Sequence, residues 1–411
     1  VRKTVVLLTA IAALWAAPGA FAAGWCGTGA SPVDRPDITT GPQVHAIWAV
    51  PSDGGDTFTA GAPKLADDIA SFTSWWAGQD PTRVPRLDNA AFPTGSCVDI
   101  SSVRLPHPAA TYAGANVAFS LLSRDLVDAG FSNPFKAYLV YYDGPSVQTN
   151  VCGTGGGDFN SGPSFAVVWL AGCPSVPDDG VAVHELLHAL GALPAGAPHA
   201  CPGDSGHPCD STQDILYPYN SGAPLSQLVL DFNHDDYYGH SGTWVDIQDS
   251  LWLHRLDLPA FPLAVAFSGA GAVQSDMPGA DCTQACTTQW DSGSQLALTP
   301  VAAAQTRFVG WQGACTGSLD CALTMTAARS VTAVFGPLRI HVKVATTGRG
   351  QIVCTPRCPA TMNAGTALSL RAVAAKGWRF ASWSGGCKGT RATCRPKTDF
   401  ALTVRATFRK R

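Results

Sequence analysis

The pentapeptide His184-Glu185-Leu186-Leu187-His188 sets two imidazoles four residues apart, with a carboxylate beside the first. On an α-helix, residues at this spacing lie one turn apart on the same face. Both rings can then reach one cation, the arrangement a catalytic zinc needs. Glu185 is placed to hold and deprotonate a water at that metal. The competing expectation is an ordinary amphipathic helix that happens to carry two histidines. Composition weighs against it, because Glu185 is the only glutamate among 30 acidic residues. A chain that solvates its surface with aspartate alone keeps its single glutamate inside this motif.

The elements that would position these groups can be read around it. Val181, Val183, Leu186, Leu187 and Leu190 supply a face to bury the helix, Asp178 and Asp179 are candidate N-caps, and Gly191 offers a stop. Upstream, Val44–Val50 and Lys136–Tyr142 read as buried strands, Pro63–Gly78 and Asn116–Gly130 as helices, and Phe165–Leu170 as a strand. That last strand is expected to be an edge able to pair with an extended peptide. Val151–Gly162 reads as a glycine-rich loop without the features of a phosphate cradle. Trp75 and Trp76 are read as core residues.

A third metal ligand must follow Gly191. No second glutamate exists, so the donors left are His199, Asp204, His207 and Asp210. The run His184-Glu-Leu-Leu-His188-Ala-Leu-Gly191 resembles the metzincin metalloproteases, and over about residues 44–253 the chain resembles secreted bacterial proteins of this H-E-L-L-H type. The metzincin resemblance implies a turn at Gly191 with a third histidine soon after. The usual spacing falls on Pro194, which cannot serve, so His199 is the expected ligand, with His207 as the alternative. Asp214-Ile-Leu-Tyr-Pro218 resembles the turn beneath the metal that normally carries methionine; Leu216 stands in its place and keeps an apolar floor. Tyr217 or Tyr219 is a candidate oxyanion partner. The resemblance implies an α+β zincin-like catalytic domain, zinc as cofactor, and a protein or peptide substrate. His234, Asp235, Asp236 and His240 form a rival cluster, and a calcium site using Asp204, Asp210 or Asp214 is a further candidate.

With 411 residues, the chain suggests two or three domains. Residues 1–22 read as a secretory signal, with a basic start, an apolar run and an A-x-A site. Residues 23–260 would form the metal-binding domain. Fourteen cysteines fit an exported protein with seven disulfides. Expected pairs are Cys26–Cys97, Cys152–Cys173 and Cys201–Cys209 in the first domain, then Cys282–Cys286, Cys315–Cys321, Cys354–Cys358 and Cys387–Cys394. No later stretch is long and apolar enough to span a bilayer.

Residues 262–336 and 338–411 are two copies of one module. Cys282, Cys286, Phe308, Trp311 and Cys315 recur 72 residues on as Cys354, Cys358, Phe380, Trp383 and Cys387. Alternating segments such as Leu402–Phe408 make each copy a small all-β module. The signature Phe-x-x-Trp-x-Gly-x-Cys, closing on Val-x-Ala-x-Phe, resembles the divergent InlB-type β-repeats of secreted bacterial proteins. The net charge of −3 hides an asymmetry: from Leu338 onward there are fifteen Lys and Arg and one acid, Asp399. The second copy is therefore expected to attract anionic surface polymers, with nucleic acid a weaker candidate. The leading functional expectation is a secreted, monomeric zinc endopeptidase with targeting repeats. Its rival is a surface binding or adhesion protein with a structural or degenerate metal site.

Overall fold

The computed structural model describes residues 25–27, 29–93, 95–112, 118–145, 151–193, 195–219, 222–358 and 360–411. The signal segment expected at 1–22, and Pro194, lie outside the described residues. The chain divides into two compact units, the first ending at Asp257 and the second beginning at Leu258.

The first unit contains, in order, β1 (Gln43–Val50), α1 (Phe58–Gln79), β2 (Arg83–Pro85), β3 (Asn89–Phe92), β4 (Gly95–Val98), β5 (Ile100–Arg104), α2 (Ala118–Asp128), β6 (Lys136–Tyr142), β7 (Gly153–Asp158), β8 (Ser161–Trp169), α3 (Asp178–Ala189), β9 (Ala200–Cys201), β10 (Asp204–Pro208) and β11 (Leu253–Arg255). Its main sheet runs β5-β1-β6-β8-β7. The first four strands are parallel and β7 closes the edge antiparallel to β8. Strands β1 and β6 are buried at every position, as parallel strands covered on both faces must be. One face meets α1 and α3 through Trp48, Leu65, Phe72, Leu139, Leu186 and Leu187. The other meets α2 through Ile47, Val140, Leu122 and Leu126. Trp76 is buried, while Trp75 is partly buried and donates its indole N–H to Leu228 O at 3.0 Å.

The segment before β1 is held to the sheet by charge. The buried Lys136 ammonium reaches Asp34 at 2.6 Å, Asp37 at 2.6 Å and Asp88 at 2.7 Å. Arg35 pairs with the buried Asp99, and Cys26–Cys97 adds a covalent tie. Three carboxylates around one buried ammonium offset its desolvation, and its proton is held well above the usual lysine range.

An α+β zincin-like domain is the expectation for residues 23–260, and the structure corrects it. Strand makes up 42% of the chain and helix 16%, with the strands spread over many small sheets. The chain is mostly β. Two local causes explain the difference. After α3, the stretch to Asp257 is dense in Pro, Gly and Asp, and it forms short 3-10 turns and two-stranded ladders rather than another α-helix. Ahead of α3, the expected glycine loop is in fact strand β7 and the start of β8. Phe165–Trp169 therefore lies inside the sheet, and the edge belongs to β7.

The glycines of β7 have a steric cause. Gly153, Gly155 and Gly157 alternate along the strand and face α3. A Cβ at Gly153 would lie 2.6 Å from Glu185 Cδ, one at Gly155 2.9 Å from His188 Cβ, and one at Gly157 2.6 Å from Ser164 Cβ. Gly156 points the other way, with Phe119 at 3.5 Å as its nearest neighbour.

The second unit repeats one topology. The first copy has β12 (Ala260–Ser268), β13 (Gly271–Ser275), β14 (Cys286–Asp291), β15 (Gln295–Ala302), β16 (Thr306–Gly313), β17 (Cys321–Thr324) and β18 (Arg329–Pro337). The second has β19 (Arg339–Thr347), β20 (Gly350–Thr355), β21 (Thr361–Asn363), β22 (Ser369–Ala374), β23 (Trp378–Gly385), β24 (Thr393–Cys394) and β25 (Leu402–Lys410). Sheets β14-β12-β18-β16 and β13-β15-β17 recur as β21-β19-β25-β23 and β20-β22-β24. Each copy has its own core, around Trp311 and Phe335 in one and Trp383 and Phe408 in the other. All seven expected disulfides form, four of them inside the repeats.

Gly155→Ala should cost about 2 kcal/mol or more in chemical denaturation, because the new methyl must push α3 off the strand. Gly156→Ala, on the open face of the same strand, should stay within about 1 kcal/mol of wild type. Equal losses would show that glycine matters here for backbone freedom rather than for close approach.

Candidate metal centre

Helix α3 begins after Pro177, so Asp178 and Asp179 occupy its first turn rather than its N-cap. Carboxylates there favour the positive end of the helix. They also tie α3 to α1, Asp178 to Lys64 Nζ at 2.6 Å and Asp179 to Ser71 Oγ at 2.6 Å. With its N-terminus clamped and its flank on β7, α3 presents His184 and His188 to the same point.

Three imidazoles meet there. His184 Nε2 lies 3.3 Å from His188 Nε2 and 3.2 Å from His207 Nε2, and His188 Nε2 lies 3.3 Å from His207 Nε2. Two of the tautomers follow from their partners. His184 Nδ1–H donates to Ile215 O at 2.7 Å, and His207 Nδ1–H donates to Asp204 Oδ1 at 2.9 Å. In those two neutral rings the Nε2 lone pairs therefore point at one spot, where His188 Nε2 also lies. Burial, and then the neighbouring His207, push His184 down to about 4; burial and the other two rings hold His188 well below the usual range. Tetrahedral zinc at ~2.0–2.1 Å from each nitrogen would space its ligand atoms about 3.3–3.4 Å apart, close to the observed triangle. The donor set fits zinc.

The sequence-expected residues fall out as follows. His184, His188 and Glu185 stand together. His199 does not join them: its backbone N–H and Nδ1 are taken by Asp236 at 2.8 and 3.2 Å. Burial would lower His199, but Asp236 and then Asp235 outweigh it and the ring is held above its ordinary range. The third imidazole is His207, which stood as the alternative. It rides on β10, paired with β9 and stapled by Cys201–Cys209. The disulfide beside His207 is the clamp that presents it. The spacing Asp204-x-x-His207 within a cysteine-closed hairpin was the available signal.

The aspartates expected for calcium are dispersed. Asp204 orients His207, and Asp210 lies with His199, Asp235 and Asp236. Asp214 accepts from Leu216 N at 2.7 Å, Phe232 N at 2.8 Å and Tyr237 OH at 2.8 Å. Those bonds hold the turn whose Ile215 carbonyl orients His184, with Leu216 fully buried beside it. The rival cluster is split: His234 Nδ1 faces Tyr238 O and His240 stacks on Trp244, while Asp235 and Asp236 stand together with His199 and Asp210.

Glu185 is buried, with the Gly155 backbone amide as its partner. Burial pushes its carboxyl up to about 8. A cation held at the imidazoles draws that value back down. Cavities flank the triad along β7. One of about 540 Å³ is lined by His184, Glu185, His207, Val176, Pro218 and Tyr219. The other, about 390 Å³, is lined by Gly155–Phe159, His188 and Val245. Tyr219 is 78% exposed at the mouth of the larger one, while Tyr217 is half-buried.

Among the described residues of the second unit there is no comparable cluster. Its two copies, with matching sheets and cysteines, match the divergent InlB B-repeat domain over residues 274–338 and 340–411. The C-terminal region carries two divergent InlB B-repeats. The match does not extend to the unit that holds the three imidazoles. No curated protein matches the chain. Among solved structures, the major pilin protein of Streptococcus pyogenes is similar at 8% identity and a TM-score of 0.17, covering 37% of this chain and 97% of that one. OgpA from Akkermansia muciniphila is similar in two crystal forms, each at 12% identity. The TM-scores are 0.28 and 0.26, with 91% and 92% of this chain and 97% and 99% of that one covered. Overlaps this slight carry no argument about the fold.

Titration with zinc should find one tight site in the wild type. His207→Ala should weaken it by more than about a hundredfold, and His199→Ala should leave it unchanged. Asp204→Asn should weaken it by roughly 10–100-fold through loss of ring orientation. Loss on His199→Ala with retention on His207→Ala would reverse the assignment.

Proposed function

We propose that the protein is a secreted zinc-dependent endopeptidase. The observation that carries this reading is the convergence of three imidazole nitrogens beside the one buried glutamate, along the edge of a sheet. His184, His188 and His207 would hold the metal. Three protein ligands are the pattern of catalytic zinc, which acts as a Lewis acid on a carbonyl and makes water acidic enough to attack it.

The chain's own residues supply the rest. Glu185 is positioned to accept the proton of the attacking water at its carboxylate and to return it to the leaving amine. Buried and nearly dry, it holds that proton between the two steps. Ile215 O and Asp204 keep two of the rings in the ligating tautomer. The outer edge of β7 offers backbone groups to an extended peptide. Tyr219 stands at the mouth of the larger cavity. Seven disulfides suit an oxidising compartment outside the cytoplasm. Among the described residues no helix is long and apolar enough to cross a membrane. The likeness to metzincins rests on residues 184–191 and the turn at 214–218, with His207 as the third histidine.

A second reading is favoured by the InlB B-repeats, the part of the chain that matches a known family. Here the protein binds a surface, and the metal centre is structural or degenerate. Casein zymography separates the two. The endopeptidase reading expects lysis that a chelator abolishes and zinc restores. It expects Glu185→Gln to bind zinc as the wild type does yet lose about 10²-fold or more of its activity. A zinc-loaded wild type without hydrolysis of denatured proteins would favour the binding reading.

A further inference from the structure

The two repeats share a fold and differ in one face. In the second copy, the solvent side of β21-β19-β25-β23 carries Arg339 and Lys343 on β19, Arg405 and Arg409 on β25, and Arg379 on β23, all exposed. Residues two apart on a strand share a face, and the register aligns the rows: Lys343 beside Thr403, Ala345 beside Arg405. Arg379 lies directly across from Arg409. The first copy has the same strands in the same register, with Ala260 and Ala264 on β12 and Thr332 and Gly336 on β18; of the five equivalent positions only Arg307 on β16 is a cation. The fold thus forms without these charges. Like charges placed directly across a ladder oppose pairing. Among the described residues none of the five cations is in an ion pair with a carboxylate of this chain.

We propose that this face of the second repeat is a docking surface for an acidic polysaccharide, a linear glycan bearing carboxylates. Arginine forks match carboxylates in a bidentate manner, and a row of them on a stiff sheet meets a repeating anion without much ordering cost. Hydroxyls stand among the cations, Thr403 and Ser384 on the same exposed face, suited to sugar hydroxyls. The strands of this face present no Phe, Tyr or Trp, only the small imidazole of His341, on which a base would stack, which disfavours single-stranded nucleic acid. The proposal rests on the repeats being a binding module and not on peptide hydrolysis, so failure of the zymogram leaves it standing.

The full-length chain can be tested on immobilised polygalacturonate, with dextran as the neutral surface and a single-stranded oligonucleotide as the rival polyanion. A face variant replaces Arg339→Ala, Lys343→Ala, Arg405→Thr and Arg409→Ser. A matched variant removes four cations elsewhere in the repeat, Arg349→Ser, Lys388→Ser, Arg391→Ser and Lys397→Ser. The expected result is binding to polygalacturonate, absent on dextran, that the face variant weakens roughly tenfold or more and the matched variant barely alters. Thermal midpoints should stay near wild type, since the first repeat tolerates neutral residues at these positions. Should the fourfold variant misfold, Arg405→Thr alone should weaken binding about two- to threefold, and no change would count against the surface. Equal weakening by both fourfold variants would reduce the effect to net charge and overturn the proposal. Tighter binding to the oligonucleotide than to the glycan, or no binding to the glycan, would also overturn it.

Discussion

The first unit depends on how closely α3 can lie against the edge strand of its sheet. Helix and sheet usually stand apart by the thickness of two side chains. Here one of those layers is missing, because alternate positions of β7 carry only hydrogen. The helix sinks until Glu185 meets the Gly155 amide and the His188 side chain sits against the backbone of β7. The placement of His184, Glu185 and His188 on α3 follows from that one approach. The glycines make a poor strand by propensity. Their ladder with β8 and the packing of α3 outweigh that cost.

Around this contact the polar atoms are arranged to leave one point unsatisfied. Ile215 O and Asp204 each take a ring proton on the far side of a histidine, so His184 and His207 turn bare lone pairs toward each other and toward His188 Nε2. Ring nitrogens about 3.3 Å apart at a half-buried spot repel when both are bare. Such a triangle is costly for an apo protein and favourable with a cation inside it. The turn that supplies Ile215 is itself fixed by Asp214, buried with three donors and held above the carboxylate range chiefly by desolvation, to about 7. Support for the centre therefore runs through two shells of hydrogen bonds on elements distant in sequence.

That arrangement explains what was legible in the chain. The spacing of His184 and His188 and the solitary Glu185 announced a site, because helical periodicity is a local property. The strands Gln43–Val50 and Lys136–Tyr142 were legible for the same reason, as were six of the cysteine pairs, which close over 21 residues or fewer; Cys26–Cys97, 71 residues apart, is the pair left over. Two features were misread, and both depend on contacts between distant segments. The glycine run is a strand only because α3 occupies the space its side chains would fill, which no window of residues 151–162 contains. His207 outranks His199 because a hairpin turns it inward while Asp236 claims the nearer imidazole. The zincin-like class went wrong through a third cause: helices were easy to see, while the many short ladders elsewhere have little periodicity of their own.

The repeats carry a different lesson. Adjacent domains of similar sequence are prone to exchange strands while folding. Here the four bridges in this unit close over 4, 6, 4 and 7 residues, each within its own copy. Pairing a cysteine with its counterpart in the neighbour would close a loop about ten times longer, at a greater entropic cost. Local oxidation is therefore favoured, and once made it commits each thiol to its own copy. Twin neighbours can mature side by side with little risk of trading partners.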